Sequence, residues 1–169
     1  MKTLDVHFLQ TIPLFTGLSA EQTDRVRAIM TLRTVAEGTA IIRENEIGSE
    51  MFILLDGEVE VSRTLLLKTA GSLDQKDKML NKLTAEDHAF FGEMGLFDEK
   101  SERTASVITK TKCTVAVLEQ NSFFALTDGD KEIGYTILKN ILRIVSDRLN
   151  KTTKDVLKLT TALSLALDR

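Results

Sequence analysis

Three residues near the middle of the chain, Gly92, Glu93 and Arg103, have types and spacing that suit the binding of a small ligand. Free backbone N–H groups at the start of a helical turn attract a phosphate, and an arginine fork neutralises it. A carboxylate is a poor neighbour for a phosphate, but it accepts a hydrogen bond from a sugar hydroxyl. One site with both signs of charge therefore predicts a ligand that is a sugar phosphate.

Segment 91–107, which contains these residues, resembles the phosphate-binding cassette of cyclic nucleotide-binding domains. That cassette reads Phe-Gly-Glu, any residue, Ala or Gly, and Leu, and then, after a spacer, Arg, a small residue, Ala and an apolar position. The residues that match it here are Phe91, Gly92, Glu93, Gly95, Leu96, Arg103, Thr104, Ala105 and Val107. The resemblance is specific, because residue type and spacing agree together, and it extends over roughly residues 12–160.

The resemblance implies a cyclic monophosphate ligand, cAMP or cGMP, held without a metal because one arginine balances its single charge. Arg103 would pair with the equatorial phosphate oxygens, and Glu93 would accept from the ribose 2′-hydroxyl. The Thr104 hydroxyl and backbone N–H groups would supply further donors. The predicted phosphate and ribose contacts are Gly92, Glu93, Met94, Arg103, Thr104 and Ala105.

Each charged residue of this site also has a simpler interpretation. Arg103 could instead form a surface salt bridge with Glu99 or Glu102. Glu93 could be a carboxylate at the start of a helix, where the helix dipole favours it.

The elements that must position these residues are mostly strands. Between residues 33 and 120, short β-branched runs alternate with turn residues, which is typical of a sandwich or a rolled barrel. The predicted strands are 39–43, 51–55, 58–62, 104–109 and 113–118, with a hairpin turn at Asp56-Gly57 and a solvated loop at 68–78. The family's glycine and apolar pattern matches at Gly38, Ile41, Phe52, Gly57, Val59 and Val61, and Asn45 replaces a glycine because Asn tolerates the left-handed conformation.

The predicted fold is therefore mainly β with flanking helices: a cyclic nucleotide-binding β-roll, of the double-stranded β-helix or jelly-roll kind, over residues 1–130. Residues 1–30 are predicted to be helical, with a capping box formed by Ser19 and Gln22. Asn121 is predicted to cap a short helix through Leu126. Residues 131–169 form the second unit, which is a long C-terminal helix.

That helix, predicted over 132–168, carries apolar residues with alternating spacings of four and three. They are Leu138, Leu142, Val145, Leu149, Thr152, Val156, Leu159, Leu163 and Ala166, with Thr152 the single polar member. A heptad pattern over four repeats indicates a coiled-coil homodimer. The alternative is a helix packed on its own domain, but 37 residues at about 1.5 Å each exceed what a small domain covers.

The same helix offers candidate base contacts. Thr152 and Thr153 resemble the adjacent hydroxyl residues that catabolite-activator-type regulators direct at adenine, one from each subunit. Thr152 could equally set the register of the seam. Thr104 instead favours cGMP, because a threonine after the cassette arginine serves a guanine amino group in some relatives. We expect the site to prefer cAMP over cGMP.

The composition of the chain limits its possible locations and classes of function. The chain has 169 residues, net charge −3, one cysteine (Cys113) and two distant histidines, His7 and His88. We expect a buried Cys113, no metal, no membrane span, a cytoplasmic location and no enzyme activity, since no catalytic constellation is visible. The basic residues of the long helix, from Lys139 to Lys158, are interpreted as a solvated flank, with nucleic-acid binding as the alternative.

The function expected from the sequence is a cyclic nucleotide-sensing module that acts through its dimer helix on a protein effector. No direct DNA binding is expected, because a helix-turn-helix domain would not fit before Arg169. The alternatives are a transcription regulator whose DNA-binding domain is absent from this chain, and a scaffold dimer of the same fold that has no ligand.

Overall fold

The structure is a computed structural model that describes residues 4–69, 72–97 and 102–167. The chain begins with helix α1 (Val6–Thr11), a 3-10 helix (Pro13–Phe15) and helix α2 (Ala20–Ala28). The strands are β1 (Met30–Val35), β2 (Ala40–Ile42), β3 (Glu50–Asp56), β4 (Glu58–Thr69), β5 (Ser72–Thr84), β6 (Phe90–Phe91), β7 (Ser106–Thr109) and β8 (Cys113–Glu119). Two helices follow, α3 (Gln120–Gly129) and α4 (Lys131–Leu167), and further 3-10 helices span Ala85–Asp87 and Glu93–Leu96.

The strands form two four-stranded antiparallel sheets. One sheet has the order β1-β8-β3-β6, and the other has the order β2-β7-β4-β5. Strands that are adjacent in sequence therefore often lie in opposite sheets, as in a roll. The predicted class, mainly β with flanking helices and a long C-terminal helix, is confirmed.

Strand β3 shows how the core is divided. Residues 51–55 of this strand are all buried, because each face of the strand has its own partner. Phe52 and Leu54 point into the roll, where they pack with Val107 and with buried residues of β8. Met51, Ile53 and Leu55 point to the other side, where the helices cover them. A strand buried on both faces has a continuous apolar run rather than an alternating one.

The predicted solvated loop at residues 68–78 is wrong. Strands β4 and β5 form one long ladder that continues to the pair Thr69↔Ser72, with residues 70 and 71 outside the described range. Backbone hydrogen bonds between antiparallel strands require no apolar side chain, so a charged segment can still form a strand. Strand β5 was consequently missed in the sequence.

Several local predictions made from short sequence motifs are confirmed. The Ser19–Gln22 capping box is present, and Asn45 adopts φ 66°. Cys113 is buried in β8. The predicted cap at Asn121 is wrong, because α3 begins one residue earlier and Glu119 is its N-cap.

Helix α4 has two parts with different surroundings. Its first three turns bury Ile133, Ile137 and Ile141 against α1 and the segment that follows it, and the buried Asn140 amide donates to the carbonyls of Leu14 (3.0 Å) and Thr16 (2.8 Å). From residue 145 to residue 167 every position is exposed. In the described part of the chain, no helix is both long and apolar enough to cross a membrane.

Candidate functional site

A tight turn after β6 begins the site. Gly92 adopts φ 77°, a left-handed conformation that favours glycine, and it leads directly into the 3-10 helix Glu93–Leu96. A Cβ at Gly92 would also lie 3.0 Å from both the Glu50 carbonyl oxygen and Arg103 Nη1. The glycine therefore allows the turn and leaves space for the arginine.

Arg103 lies just before β7 and is only 9% exposed. Its Nη1 donates to the Gly92 carbonyl (3.0 Å), and its Nη2 donates to the Glu50 carbonyl (2.8 Å). A guanidinium has five N–H donors, so three remain without an acceptor among the described residues. The predicted alternative, a salt bridge at the surface, does not describe this inward orientation, and Glu99 lies outside the described residues.

Two further glycines hold the guanidinium between them. A Cβ at Gly48 would lie 2.7 Å from Arg103 Nε, and a Cβ at Gly95 would lie 2.6 Å from Nη1. Real Cβ contacts are not this short, so a side chain at either position would displace the arginine. Gly48 was not identified in the sequence, because its role depends on a contact with a residue 55 positions away.

Burial lowers the pKa of Arg103, and the nearby carboxylates of Glu50 and Glu93 act in the opposite direction. An arginine nevertheless stays protonated in proteins at neutral pH. The result is a fixed positive charge at the bottom of the site.

Glu93 is held by a residue of α4. Arg148 Nη1 lies 2.9 Å from Glu93 Oε1, and the Glu93 side chain is only 13% exposed. The same guanidinium donates to the Phe90 carbonyl (3.2 Å) and lies over the Phe90 ring, 4.6 Å from its centroid. The ion pair therefore joins the cassette directly to the long helix.

The sequence pattern predicted Arg148 to lie in the solvated basic flank, so its contact with Glu93 was not foreseen. A signal was available, because Arg148 precedes Thr152 by four residues and residues at this spacing share one face of a helix.

These elements enclose a cleft of about 530 Å³ between the cassette, strands β4 and β5, and helix α4. All six predicted phosphate and ribose contacts line it, together with Arg148 and Thr152. Its apolar wall comes from Ile42, Val61, Leu80, Leu83, Phe90, Phe91 and Val107. A wall of this kind with a few convergent polar groups is typical of a small-molecule site.

The two candidate base contacts differ in position. Thr152 lines the cleft, whereas Thr153 does not line the cleft of its own chain. Both hydroxyls donate to the carbonyl four residues earlier, at 3.0 Å for Thr152 and 2.9 Å for Thr153. Their oxygens thus remain acceptors. Asn81, Lys151 and Asp155 also line the cleft and were not predicted.

Helix α4 also forms one side of an apolar groove beside the cassette. Met94 and Phe97 of the cassette face Leu138, Ile141, Leu142 and Val145 across about 410 Å³. Glu93 borders both this groove and the cleft. In the described part of the chain, no group of three or more His, Cys, Asp or Glu residues is arranged to hold a metal ion.

A β-roll with a glycine turn, an inward arginine and an adjoining carboxylate defines a domain that binds a small anionic ligand. Residues 32–130 match the family model described as "Cyclic nucleotide-binding domain". The chain belongs to the cyclic nucleotide-binding domain family.

Two relatives of the chain are named as regulatory proteins. The chain is 28% identical over 117 residues to a cAMP-dependent protein kinase regulatory subunit of Pyricularia oryzae, covering 69% of this chain and 27% of the relative. It is 31% identical over 136 residues to a cAMP-activated global transcriptional regulator of Pseudomonas aeruginosa, covering 79% of this chain and 58% of the relative. The chain thus spans about a quarter to just over half of these relatives.

The fold is shared with the crystal structure of the Thermus thermophilus catabolite activator protein. The TM-score is 0.74 at 24% identity, with 88% of this chain and 63% of that chain covered. At this identity the likeness supports the fold alone.

Proposed function

We propose that this chain is a regulatory module that binds a cyclic nucleotide, with cAMP preferred over cGMP, in the cleft between the cassette and α4. The observation that carries the proposal is the buried Arg103 at the bottom of the cleft, where three of its five N–H groups have no acceptor among the residues that the structure describes. A cyclic phosphate has one negative charge, which a single arginine balances.

The sugar would bind next to the phosphate. Glu93 would accept from the ribose 2′-hydroxyl, and backbone N–H groups of Gly92, Glu93 and Ala105 would add donors to the phosphate. The first N–H groups of the 3-10 helix have no acceptor within that helix, which leaves them available. Arg148 would keep the Glu93 carboxylate oriented while the ribose binds.

The base would extend toward α4, where Thr152 lines the cleft. A hydroxyl oxygen that already donates to a backbone carbonyl accepts well from an amino group, which favours the adenine N6 amino group. The two relatives described above are both named for cAMP, in agreement with this preference. Thr153 would act only from a second copy of the chain.

The output would pass through α4. Of the nine predicted seam residues, seven are apolar residues that are more than one third exposed, for example Leu142 at 67% and Leu159 at 70%. A homodimer would cover this stripe, and three seam residues, Leu138, Leu142 and Val145, also border the groove beside the cassette. A ligand moves such an equilibrium only through its differential affinity for the two arrangements. The proposed recipient of the signal is a protein effector.

Titration calorimetry with cAMP and with cGMP on the purified chain tests the ligand. We expect saturable binding of both at one site per chain, with the lower Kd for cAMP. A ligand at 100 times its Kd adds about 2.7 kcal/mol of stability, so the Tm should rise by about 5–10 °C. A ligand-free scaffold of the same fold would show neither heat nor a shift, and that result would refute the proposal.

Sedimentation and hydrogen exchange test the output. We expect the wild-type chain to sediment as a dimer and the double variant Leu149→Ser, Val156→Ser as a monomer, with Lys154→Ser as the exposed control on the same helix. Exchange across residues 131–160 should slow when cAMP is added. Unchanged exchange there would make the chain a passive binder.

A further inference from the structure

Strand β4 continues well beyond the strand that supports it. Strand β7 pairs with β4 only from Val59↔Thr109 to Ser62↔Ser106. The ladder between β4 and β5, in contrast, continues to Thr69↔Ser72. Residues 63–69 and 72–79 thus form a two-stranded ribbon whose β4 edge has no strand partner among the described residues.

Beyond the end of the β4–β7 pairing, the side chain of Glu44 accepts hydrogen bonds from β4 in place of a neighbouring strand. Glu44 Oε2 accepts from the backbone N–H of Thr64 (2.8 Å), and Oε1 accepts from Arg63 Nε (3.0 Å). These bonds begin one residue after the last β4–β7 pair. The Glu44 side chain is 11% exposed, so water competes little for these contacts.

The loop that contains Glu44, residues 43–47, is also hydrogen-bonded to strand β7 and to Arg103. The Glu44 N–H donates to Ser106 Oγ (3.0 Å). The Asn45 N–H donates to the Arg103 carbonyl, and the Arg103 N–H donates to the Glu46 carbonyl, each at 2.9 Å. Loop 43–47 therefore connects the backbone of the cassette arginine to the base of the ribbon.

The base of the ribbon forms one wall of the cleft. The β4–β5 register shifts between Val61 and Ser62, which pair with Asn81 and Met79, so that Leu80 is an extra residue in β5. Leu80 and Asn81 both line the cleft, although Leu80 is 55% exposed. A bulge of this kind redirects a side chain and bends the strand. The position of this wall then depends on what holds the ribbon.

We propose that Glu44 is a positioning residue for the ligand: its carboxylate fixes the β4–β5 ribbon relative to Arg103 and so keeps Leu80 and Asn81 against the bound nucleotide. The inference rests on the proposed function, because it assumes that a cyclic nucleotide occupies the cleft. The Thr64 N–H, and after it Arg63, lower the pKa of Glu44 despite the partial burial of the group, so the carboxylate is ionised at neutral pH.

Three variants test the proposal. Glu44→Ala removes the acceptor, and Glu44→Gln keeps an oxygen that accepts from the Thr64 N–H but loses the charge. Glu60→Ala is the matched control, because Glu60 lies on β4 and its carboxylate forms an ion pair with Lys110, at 3.3 Å. For each variant, calorimetry measures the Kd of cAMP, and hydrogen exchange without ligand measures the opening of residues 63–79.

We expect Glu44→Ala to weaken cAMP binding by about tenfold, the change for one hydrogen bond to a charged acceptor. Exchange of the Thr64 amide and its neighbours should accelerate by a similar factor. Glu44→Gln should recover most of both effects, and Glu60→Ala should match the wild type. If Glu44→Ala does not fold, Glu44→Ser replaces it, since a serine is too short to reach Thr64.

The results separate two failures. If the wild type binds cAMP and Glu44→Ala binds it equally well, the role of Glu44 is refuted and the proposed function stands. If Glu44→Ala weakens binding while the ribbon exchanges at the wild-type rate, positioning through the ribbon is refuted. If the wild type itself binds no cyclic nucleotide, the proposed function fails, and this inference fails with it.

Discussion

Replacing Arg103 by leucine tests the centre of the proposed site, because it removes the only arginine that the structure directs to the bottom of the cleft among the described residues. If two of its three remaining N–H groups bond the phosphate, each charge-assisted bond contributes about 1.5–3 kcal/mol. Removing one partner of a buried charged pair costs about 2–5 kcal/mol. The two ranges overlap, so cAMP affinity should fall by roughly 30-fold to 5000-fold.

The same substitution should also lower the stability of the ligand-free protein. Leucine leaves the Gly92 and Glu50 carbonyls without their donors. Each unsatisfied buried acceptor costs about 1–3 kcal/mol, so the two together cost about 2–6 kcal/mol and the Tm should fall by about 4–24 °C.

Titration calorimetry and thermal unfolding, each with cAMP as the probe, measure both effects. Arg27→Leu is the control, because Arg27 is exposed on α2, where it forms an ion pair with Asp24. Equal cAMP affinities for Arg103→Leu and the wild type would remove Arg103 from the site. A weakened affinity with an unchanged Tm would show that the two carbonyl bonds contribute nothing to the fold.

Three other variants test the surroundings of the site. Gly95→Ala would place a Cβ against the Gly48 carbonyl oxygen and 2.6 Å from Arg103 Nη1, and it should weaken cAMP binding at least tenfold, whereas Gly129→Ala, which meets no atom within 4 Å, should leave the Kd unchanged. Arg148→Ala removes an ion pair and a cation–π contact and should weaken cAMP binding by about fivefold to thirtyfold, measured against Lys154→Ala; wild-type affinity would show that Arg148 does not orient Glu93. Asp130 accepts from the Ile133 N–H and pairs with Arg25, which holds its pKa below 3.8, so its stabilising effect is present above that pH and is lost as the pH falls through the lowered value. The Tm difference between the wild type and Asp130→Ala should therefore be full at neutral pH and vanish in acid; a difference that does not change with pH would contradict this assignment.

The sequence predicted those parts of the site that are local in the chain. Gly92, Glu93 and Arg103 belong to one short motif, so their order and spacing in the sequence are enough to recognise them. The strands β3 and β8 were equally visible, because both of their faces are buried and their residues are almost all apolar.

The parts that were missed depend on contacts distant in sequence. Gly48 matters only because Arg103 passes beside it, and Arg148 matters only because α4 crosses the cassette. The charged residues of β5 predicted a loop, because backbone pairing with β4 requires no apolar side chains that the sequence could reveal. Side-chain pattern alone does not report such pairings.

The unequal anchoring of α4 has a geometrical consequence. Asn140 fixes the helix to the backbone at Leu14 and Thr16, while Leu167 lies 27 residues further on and is 77% exposed. At about 1.5 Å per residue, that arm is about 40 Å long, and Arg148 meets the cassette about 12 Å along it. A tilt of only about 10° at the fulcrum would swing the tip by about 7 Å, more than the pitch of one helical turn. That tilt would move the helix by only about 2 Å beside Arg148, so leverage turns a small movement at the cassette into a displacement large enough to change which residues meet at the far end.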